Sequence, residues 1–386
     1  MDTTPGQRAG RTTALVRARI AISISFAVCG AGTGLWAVHI PIVTGRLSLD
    51  PSVLGLALLT MAIGAVITMP LTGAAIARFG SRPPTAFLGI AYPILAPIAI
   101  LSGSTPFLFV SLFFFGAAMG ALDVAMNTQA SEVEKARGRP TMSSFHGFYS
   151  VGALGGSIIG GVLIGFGMAD GSAGVVVSAV LIALGVYAAF NLWHSERPPE
   201  QGPRFSLPHP AVLGLGIICF LAFAGEGAVT DWSALYLSTV KNSSLSASAS
   251  GFAAFSVAMV VCRLAGDPVV ARLGGFLTIV GGGALMAVGM ALTILSPWPL
   301  LSAVGFAIIG VGAANLVPVA FSAAARTPGV PPSMGVAAVT TLGYSGFLVF
   351  PPVLGFIAQD WGLSVALSVV ALMGLAIAAM AGTVRR

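Results

Sequence analysis

Long apolar runs, separated by short polar segments, fill most of the 386-residue chain. A transmembrane helix needs about 20 predominantly apolar residues in succession, and twelve segments meet that requirement. They are residues 20–43, 52–76, 84–103, 106–130, 142–166, 172–193, 210–237, 247–271, 274–295, 299–325, 333–358 and 362–383. This pattern predicts an all-α membrane protein with twelve transmembrane helices.

Basic residues fall almost entirely on one side of the predicted membrane. When the connecting segments are assigned to alternate sides, 16 of the 18 lysine and arginine residues lie on one side, and only Arg46 and Lys241 lie on the other. Cytoplasmic loops carry an excess of basic residues. We therefore expect both termini in the cytoplasm. The separation also supports twelve spans, because a missed span would mix the two sides.

A polar stretch lies near the midpoint of the chain, at residues 194–209, and contains charged residues and prolines. We expect it to form a cytoplasmic linker between an N-terminal six-helix bundle, residues 1–193, and a C-terminal one, residues 210–386. The first apolar run follows a basic N-terminal segment and continues for more than about 20 residues without a clear cleavage site. We therefore interpret it as a span and not as a signal peptide.

The composition excludes several classes of protein. Hydrophobic residues make up 56% of the chain and charged residues 8%, and the mean hydropathy is +0.96, whereas soluble domains carry about 25% charged residues. The net charge of +6 is spread over short clusters without interleaved aromatics, so no nucleic-acid partner is expected. Three cysteines lie within apolar runs and are expected to pack there. No Walker loop, zinc cluster or nucleophile elbow is present, so we expect neither an enzyme nor an ATP-driven pump, and no metal or cofactor.

The two halves of the chain repeat each other weakly. Four sets of matches are spaced by 192 to 195 residues, close to half the chain length. They are Ala77-Arg78-Phe79-Gly80 with Ala271-Arg272-Leu273-Gly274, Tyr149-Ser150 with Tyr344-Ser345, Gly160 with Gly355, and Gly120 and Asp123 with Gly312 and Asn315. Such a duplication is typical of transporters in which two similar bundles alternate access to a site near the membrane midplane.

The segment after the second span resembles the corresponding segment of the major facilitator superfamily. That superfamily has a glycine, a spaced Asp-Arg pair, a second glycine and basic residues there. The matching residues are Gly73, Arg78, Gly80 and Arg82. Ala77 stands where the acid is expected, which implies a weakened charge clamp at the cytoplasmic gate. The resemblance covers the whole chain and implies two pseudo-symmetric six-helix bundles, with Arg78 and Arg82 at the gate.

A comparable cluster lies at the end of the eighth predicted span and just after it. It contains Arg263, Gly266, Asp267, Arg272 and Gly274. Arg263 and Asp267 are four residues apart on one predicted helical face, so we expect them to pair. We interpret Arg263, Asp267 and Arg272 as gate residues of the second half. Asp231, near the outer end of the seventh span, is expected to act at an outer gate.

Spans four and five resemble the fucose permease branch of the superfamily. The resemblance rests on Leu122–Asn127 and Met142–Gly152. It implies that Asp123 is a proton and sugar site and that Tyr149, where that branch has an amide, is a substrate-binding position. The segment from Gly225 to Tyr236 is similar to uncharacterised bacterial permeases close to that branch.

Ionisable residues inside a membrane cost at least about 2.5 kcal/mol each on insertion scales. Asp123 lies nine residues before Glu132, roughly 13 Å into its span at 1.5 Å per residue. We expect Asp123, Glu226 and His146 to take part in proton coupling. The alternatives are a permanent ion pair of Asp123 with a basic residue such as Arg263, and a simple interhelical hydrogen bond for His146.

Two local expectations concern the outer halves of spans one and seven. Gly225 and Gly227 flank Glu226, so we expect the helix to bend there and to expose carbonyl groups to a cavity. His39 precedes Pro41 by two residues at the outer end of span one and is expected at the membrane interface.

Six further residues are candidates for contact with a solute. Asn127, Tyr149, Asn315 and Tyr344 could hydrogen-bond a polyol, and Trp36 and Trp232 could stack on a sugar face. The alternative is structural, because tyrosine and tryptophan gather at membrane interfaces and polar side chains commonly bond between helices.

The leading functional hypothesis is a monomeric, multi-pass secondary transporter of the bacterial cytoplasmic membrane. It would move a small polar, sugar-like solute together with protons, surrounded by membrane lipid. Proton-driven efflux of amphipathic or drug-like compounds is the alternative, suggested by the run Phe113–Phe115 and by 13 methionines. A third hypothesis, a non-transporting sensor or lipid-handling enzyme, lacks any recognisable site or soluble domain.

Overall fold

The structure, a computed structural model, describes residues 5–49, 51–168, 171–194, 210–243, 248 and 250–385. Within these residues the chain forms thirteen α-helices and no strand. The helices are α1 (Pro5–Leu47), α2 (Pro51–Phe79), α3 (Arg82–Ile100), α4 (Thr105–Arg137), α5 (Met142–Gly165), α6 (Ser172–Asn191), α7 (Pro210–Thr239), α8 (Ser250–Leu264), α9 (Gly266–Leu295), α10 (Pro299–Ala313), α11 (Leu316–Ala324), α12 (Pro332–Trp361) and α13 (Leu363–Ala379). A 3-10 helix, Met380–Arg385, follows α13.

The helices confirm the predicted all-α architecture with twelve spans. In the described part of the chain, eleven helical segments are long and apolar enough to cross a membrane, and α8 is a shorter apolar helix that accounts for the remaining span. α10 and α11 together form one of the eleven. The predicted eighth span, residues 247–271, extends too far, because α8 ends at Leu264. Pro268 explains this end, since it cannot donate the helical hydrogen bond to the Leu264 carbonyl.

The described residues divide into two compact units. The first unit comprises those within Met1–Thr141, Phe148–Leu207 and Pro331–Ala337, and the second those within Met142–Gly147, Pro208–Val330 and Ala338–Arg386. The start of α5 thus belongs to the second unit and the start of α12 to the first. Residues 195–209 lie outside the described residues, so the linker and the domain borders stay predictions.

Close helix contacts at glycine support the internal duplication. A Cβ atom on Gly116 of α4 would meet the carbonyl oxygen of Met61, and one on Gly310 of α10 would meet that of Phe255. Both members of the second contact lie 194 residues after those of the first. Small residues let membrane helices approach until backbone touches backbone, and here the same approach occurs once in each unit.

The fifth helix of each half repeats a second contact of this kind. Gly152 of α5 lies against the carbonyl oxygen of Ala27, and Gly346 of α12 lies against that of Phe220. The spacings are 194 and 193 residues. The duplicated sequence therefore specifies duplicated helix packing within the two units.

The two basic residues on the sparsely charged side, Arg46 and Lys241, occupy equivalent structural positions. Arg46 donates a hydrogen bond of 3.0 Å to the carbonyl oxygen of Ser102, and Lys241 donates one of 2.7 Å to that of Ser296. Each also donates to the carbonyl oxygen two residues earlier. Carbonyl groups at a helix C-terminus have no helical donor, and a basic side chain satisfies them in each unit.

The first residues of α5 and α12, which belong to the second and the first unit respectively, make equivalent contacts. A Cβ atom on Gly73 would lie 2.7 Å from the Cβ atom of Ala337 in the first unit. One on Gly266 would lie 2.6 Å from the Cβ atom of Ser143 in the second. Gly73 and Gly266 are 193 residues apart, and Ser143 and Ala337 are 194 apart. The glycine that begins the matched segment in each half therefore makes room for a helix start.

The glycine contacts predict opposite outcomes for two neighbouring substitutions on α5. Gly152→Ala places a methyl group against the Ala27 carbonyl, whereas nothing lies within 4 Å of a Cβ atom on Gly155. We expect Gly152→Ala to destabilise the protein by about 1–3 kcal/mol through overpacking, as measured by thermal unfolding in detergent. Gly155→Ala is the matched control and should not lower stability, because alanine favours helix. Equal losses in both variants would contradict the packing described here.

Candidate functional site

The first unit contains a buried carboxyl group with an unused oxygen. Asp123 lies in the middle of α4, which is continuous from Thr105 to Arg137, and its side chain is 5% exposed. Asn127, one turn later, donates to Oδ1 of Asp123 at 3.2 Å and to the Asp123 backbone carbonyl at 2.9 Å. Oδ2 has no hydrogen-bond partner among the described residues. Buried polar groups are normally bonded, so this oxygen marks a candidate site.

A hydroxyl cluster reaches α4 one helical turn from this acid. Tyr92 of α3 is fully buried, and its hydroxyl group donates to the carbonyl oxygen of Cys29 at 3.0 Å. Thr33 lies 3.0 Å from the same hydroxyl group and 3.8 Å from the sulfur of Met119, one helical turn before Asp123. The cluster therefore joins α1, α3 and α4 one turn from the acid.

Sequence reasoning did not identify Tyr92. The available signal was a tyrosine in the middle of an otherwise apolar third span. Gly32 leaves space for Tyr92, because a Cβ atom at position 32 would lie 2.5 Å from the Tyr92 ring. Phe115 stacks on the same ring, with centroids 4.9 Å apart.

Three other predicted residues also lie in the first unit. Trp36 is buried, and its ring N–H has no partner within the described residues. Tyr149 is half-buried on α5. His39 is fully buried, and its Nδ1 lies 2.7 Å from the Leu35 carbonyl oxygen. Its expected place at the membrane interface stays a prediction.

The matched segment after α2 carries a network that the sequence did not predict. The hydroxyl group of Ser81 donates to Glu132 at 2.8 Å and accepts from the buried Gln129 at 2.7 Å. Gln129 is also bonded to the backbone of Trp193, near the end of α6. Polar residues from α4 therefore anchor this loop, although Ala77 supplies no charge.

The predicted gate arginines of the first half lie close to this loop. Arg78 is exposed, and its guanidinium group lies 5.0 Å from the centre of the Phe79 ring. Arg82 is half-buried at the start of α3. Gly80, between them, has φ +77, and its repeat partner Gly274 has φ +72, a conformation that favours glycine.

The second unit contains a buried ion pair. Nη2 of Arg263 lies 3.2 Å from Oε2 of Glu226, and their side chains are 6% and 21% exposed. Nε of Arg263 also donates to the carbonyl oxygen of Ala314 at 3.3 Å. Arg263, which was considered as a partner of Asp123, is therefore paired with an acid of its own unit.

The helix is not interrupted at Glu226, where a bend is expected. The helix α7 is continuous from Pro210 to Thr239. A Cβ atom on Gly225 would lie 2.7 Å from the end of Met286, and one on Gly227 would lie 3.1 Å from the Phe347 ring. The two glycines make room for neighbouring side chains and do not open the helix.

The expected pairing of Arg263 with Asp267 along one helical face is also wrong in its premise. The helix breaks between Leu264 and Gly266, so the two residues do not share one continuous helix. Oδ1 of Asp267 accepts a hydrogen bond of 3.0 Å from the backbone N–H of Ser144. A carboxylate at a helix N-terminus is favourable, and Asp267 therefore anchors the start of α5.

Asn315 lies at the break between α10 and α11. Its amide nitrogen lies 3.4 Å from the carbonyl oxygen of Cys262. The repeat partner Asp123 lies in an uninterrupted helix. The two halves therefore differ in backbone as well as in charge at this position.

The other predicted residues of the second unit are dispersed. His146 is buried, with its ring edge-on to Phe321. Tyr344 packs edge-on against the ring of Phe223, and Trp232 is half-buried. The remaining two are exposed, Asp231 on α7 and Arg272 on α9. A search of the described residues finds no group of histidine, cysteine and acidic side chains that could hold a metal ion.

Comparison with known proteins agrees with this architecture. The chain is 38% identical over 370 residues to an uncharacterized MFS-type transporter of Yersinia pestis, covering 95% of this chain and 96% of that protein. It is 33% identical over 360 residues to the membrane protein MosC of Rhizobium meliloti, covering 93% and 88%.

Solved structures share the fold at low sequence identity. The fucose transporter FucP in its outward conformation matches with a TM-score of 0.79 at 13% identity, covering 97% of this chain and 100% of that one. The proton:xylose symporter XylE matches with a TM-score of 0.75 at 13% identity, covering 96% and 95%. The family pattern of the Major Facilitator Superfamily matches residues 22–334. The chain is therefore a multi-pass membrane protein that belongs to the Major Facilitator Superfamily of transporters.

Proposed function

We propose that the protein is a secondary active transporter that moves a small polar, sugar-like solute across the bacterial cytoplasmic membrane together with protons. The two units would work by alternating access, as expected for a duplicated bundle. The proposal includes import as its direction, cytoplasmic termini and a monomeric state. Two structural neighbours at low identity are described as fucose and xylose symporters that use protons, which is consistent with this class of solute.

The buried Asp123 carboxyl group carries the proposal. A charge in the membrane interior is expensive and usually functional, and Asp123 Oδ2 has no hydrogen-bond partner among the described residues. A carboxyl group in this position can hold a proton in one state of the cycle and release it in another. The cluster of Thr33 and Tyr92 contributes hydroxyl groups that reach α4 one helical turn away, at Met119.

Glu226 and His146 are the other proposed proton-coupling residues. Glu226 is bonded to Arg263 through Oε2, so this oxygen already has a partner. His146 lies between neighbouring side chains near the start of α5 and contacts the Phe321 ring. Asp123 is therefore the strongest candidate of the three.

Several side chains are proposed to contact the solute. They are Asn127, Tyr149 and Tyr344 for hydrogen bonds, and Trp36 and Trp232 for stacking. Trp36 is buried, and its ring N–H has no hydrogen-bond partner among the residues that the structure describes, which supports its inclusion. Asn315, predicted with them, is a weaker candidate because its amide already faces the Cys262 carbonyl. Gate roles are proposed for Arg78, Arg82, Arg272 and Asp231, with Asp267 holding the start of α5.

Efflux of amphipathic compounds has less structural support. The run that suggested it does not line one surface, since Phe115 is fully buried against Tyr92 while Phe114 is 54% exposed. A thermal-shift screen of the purified protein against sugars, acids and drugs at two pH values separates the two classes of ligand.

Asp123 and Glu226 are expected to respond differently to the same chemical change in a test of stability. Glu226→Gln breaks an ion pair and should cost on the order of 1–3 kcal/mol, below the 3–5 kcal/mol of a fully buried pair because Glu226 is partly exposed. Asp123→Asn removes a buried charge that has one unbonded oxygen and should leave stability unchanged or raised. Thermal unfolding in detergent at neutral pH measures both. A loss in Asp123→Asn as large as that in Glu226→Gln would contradict the assignment.

Transport in energised vesicles tests the proposed role of Asp123. With L-fucose and D-xylose as probes, Asp123→Asn should abolish accumulation driven by a proton gradient. Exchange of labelled for unlabelled sugar should continue, because exchange needs no net proton movement. The measurement is the uptake of radiolabelled sugar in the two modes.

Asp360→Asn is the matched control for that experiment. Asp360 is an exposed acid near the end of α12, and its substitution should leave accumulation at the wild-type level. Accumulation that survives Asp123→Asn would show that another group carries the proton.

A further inference from the structure

Pro318 leaves one backbone carbonyl of the second unit without its helical donor. In a regular helix the N–H of residue 318 would bond the carbonyl oxygen of Ala314, four residues earlier. Proline has no N–H, and its ring clashes with that carbonyl group. The helix is interrupted at this point, with α10 ending at Ala313 and α11 starting at Leu316. Inside a membrane, an unsatisfied carbonyl group finds no water to replace the donor.

Arg263 supplies the missing donor. Its Nε atom donates to the Ala314 carbonyl oxygen at 3.3 Å, while Nη2 of the same guanidinium group binds Glu226 at 3.2 Å. The Arg263 side chain is 6% exposed. A planar guanidinium group carries several donors in a fixed geometry, so one side chain can satisfy a carbonyl group and hold a carboxylate at once.

A second bond runs in the opposite direction. The amide nitrogen of Asn315, at the break, lies 3.4 Å from the carbonyl oxygen of Cys262. The helical donor of Cys262 would be residue 266, which lies beyond the break at the end of α8. Each of the two broken helices thus provides a side chain for a carbonyl group of the other. We call this pair of bonds the kink clamp. It consists of Arg263, Asn315 and the carbonyl groups of Ala314 and Cys262.

Gly266 fits the same arrangement. A Cβ atom at this position would meet Oδ1 of Asn315, so only glycine leaves space for the amide group in its present orientation. Gly266 begins α9 and immediately follows the turn after α8. Both bonds of the kink clamp therefore depend on the local backbone geometry at two breaks, the one between α8 and α9 and the one between α10 and α11.

The first unit has no equivalent. The position 194 residues before Arg263 is Met69, and α4 contains no proline after Pro106. Asp123 stands where the second half has Asn315, in an uninterrupted helix. The duplication alone therefore does not account for the clamp.

We propose that Arg263 is a positioning residue that fixes the broken helix α10–α11 through the kink clamp, with Glu226 as its counter-ion. In this role Arg263 and Asn315 hold the backbone, and contact with the solute or transfer of the coupling proton is left to other groups. The proposal does not depend on the identity of the solute or on coupling to protons.

A double-substitution experiment tests this dependence on Pro318. Arg263→Met removes the donor, and Pro318→Ala restores the N–H that can bond Ala314. Arg263→Met should lower the thermal unfolding midpoint by several degrees when Pro318 is present. The same substitution should cost less in the Pro318→Ala background. The loss of the Glu226 ion pair is common to both backgrounds, so the difference between the two costs reports the bond to Ala314.

Pro70→Ala is the matched control. Pro70 lies inside α2 of the first unit, and restoring an N–H there should not change the cost of Arg263→Met. If Arg263→Met fails to fold when Pro318 is present, the pair Glu226→Gln with Arg263→Met replaces it. A higher thermal unfolding midpoint of that double variant after Pro318→Ala is added would likewise support the proposal. An equal loss with and without Pro318→Ala would overturn the proposal.

Helix geometry provides a readout that stability alone does not. The three native cysteines are first replaced by alanine, and spin labels are attached at Leu300→Cys and Arg326→Cys. Both positions are exposed, and they lie on either side of the break. The distance between the two labels reports the geometry of α10–α11. The distance distribution should be narrow in the parent protein and broad in Arg263→Met. It should narrow again when Pro318→Ala is added. A distribution unchanged by Arg263→Met would contradict a positioning role.

Discussion

The membrane interior requires that each polar group find its partner within the chain. Helices satisfy this requirement for the backbone along their length, and the remaining cases are at their ends and breaks. Arg46 and Lys241 cover the carbonyl groups at two helix ends. Arg263 covers the one that Pro318 leaves free. Several charged and polar side chains therefore satisfy the backbone, which narrows the set available for transport chemistry.

Asp123 is an exception to that pattern. Its repeat partner Asn315 faces a backbone carbonyl group, while Asp123 keeps one oxygen without a partner among the described residues. The two halves share helix contacts at Gly116 and Gly310, so their helices pack alike. The same helix packing thus supports two different local sites, a structural one in the second unit and one suited to chemistry in the first.

The sequence was sufficient for the architecture and for part of the site. Apolar runs and loop charges predicted the twelve spans, because segments in contact with lipid are apolar and segments in contact with water carry the charges. The distribution of basic residues also isolated Arg46 and Lys241, but it could not show what they bind, since their carbonyl partners lie more than 50 residues away. Asp123 and Glu226 were recognisable because charge is rare inside a membrane. The bond between Glu226 and Arg263 joins separate helices and needed the fold.

The failures share a physical cause. Gly225 and Gly227 on either side of Glu226 predict a bend, yet glycine in a membrane helix often makes room for a neighbour. Pro318 was visible in the sequence, but the fate of the carbonyl group that it frees depends on tertiary structure. Tyr92 was missed because its role depends on the space left by Gly32 on another helix.

Movement of protons with the solute shows whether Asp123 carries the coupling proton. Purified protein is reconstituted into liposomes that contain a pH-sensitive dye, with no membrane potential. Addition of L-fucose or D-xylose, whichever binds, should acidify the lumen in the wild-type protein and not in Asp123→Asn. Entry of the sugar into wild-type liposomes without any change in lumenal pH would contradict that role.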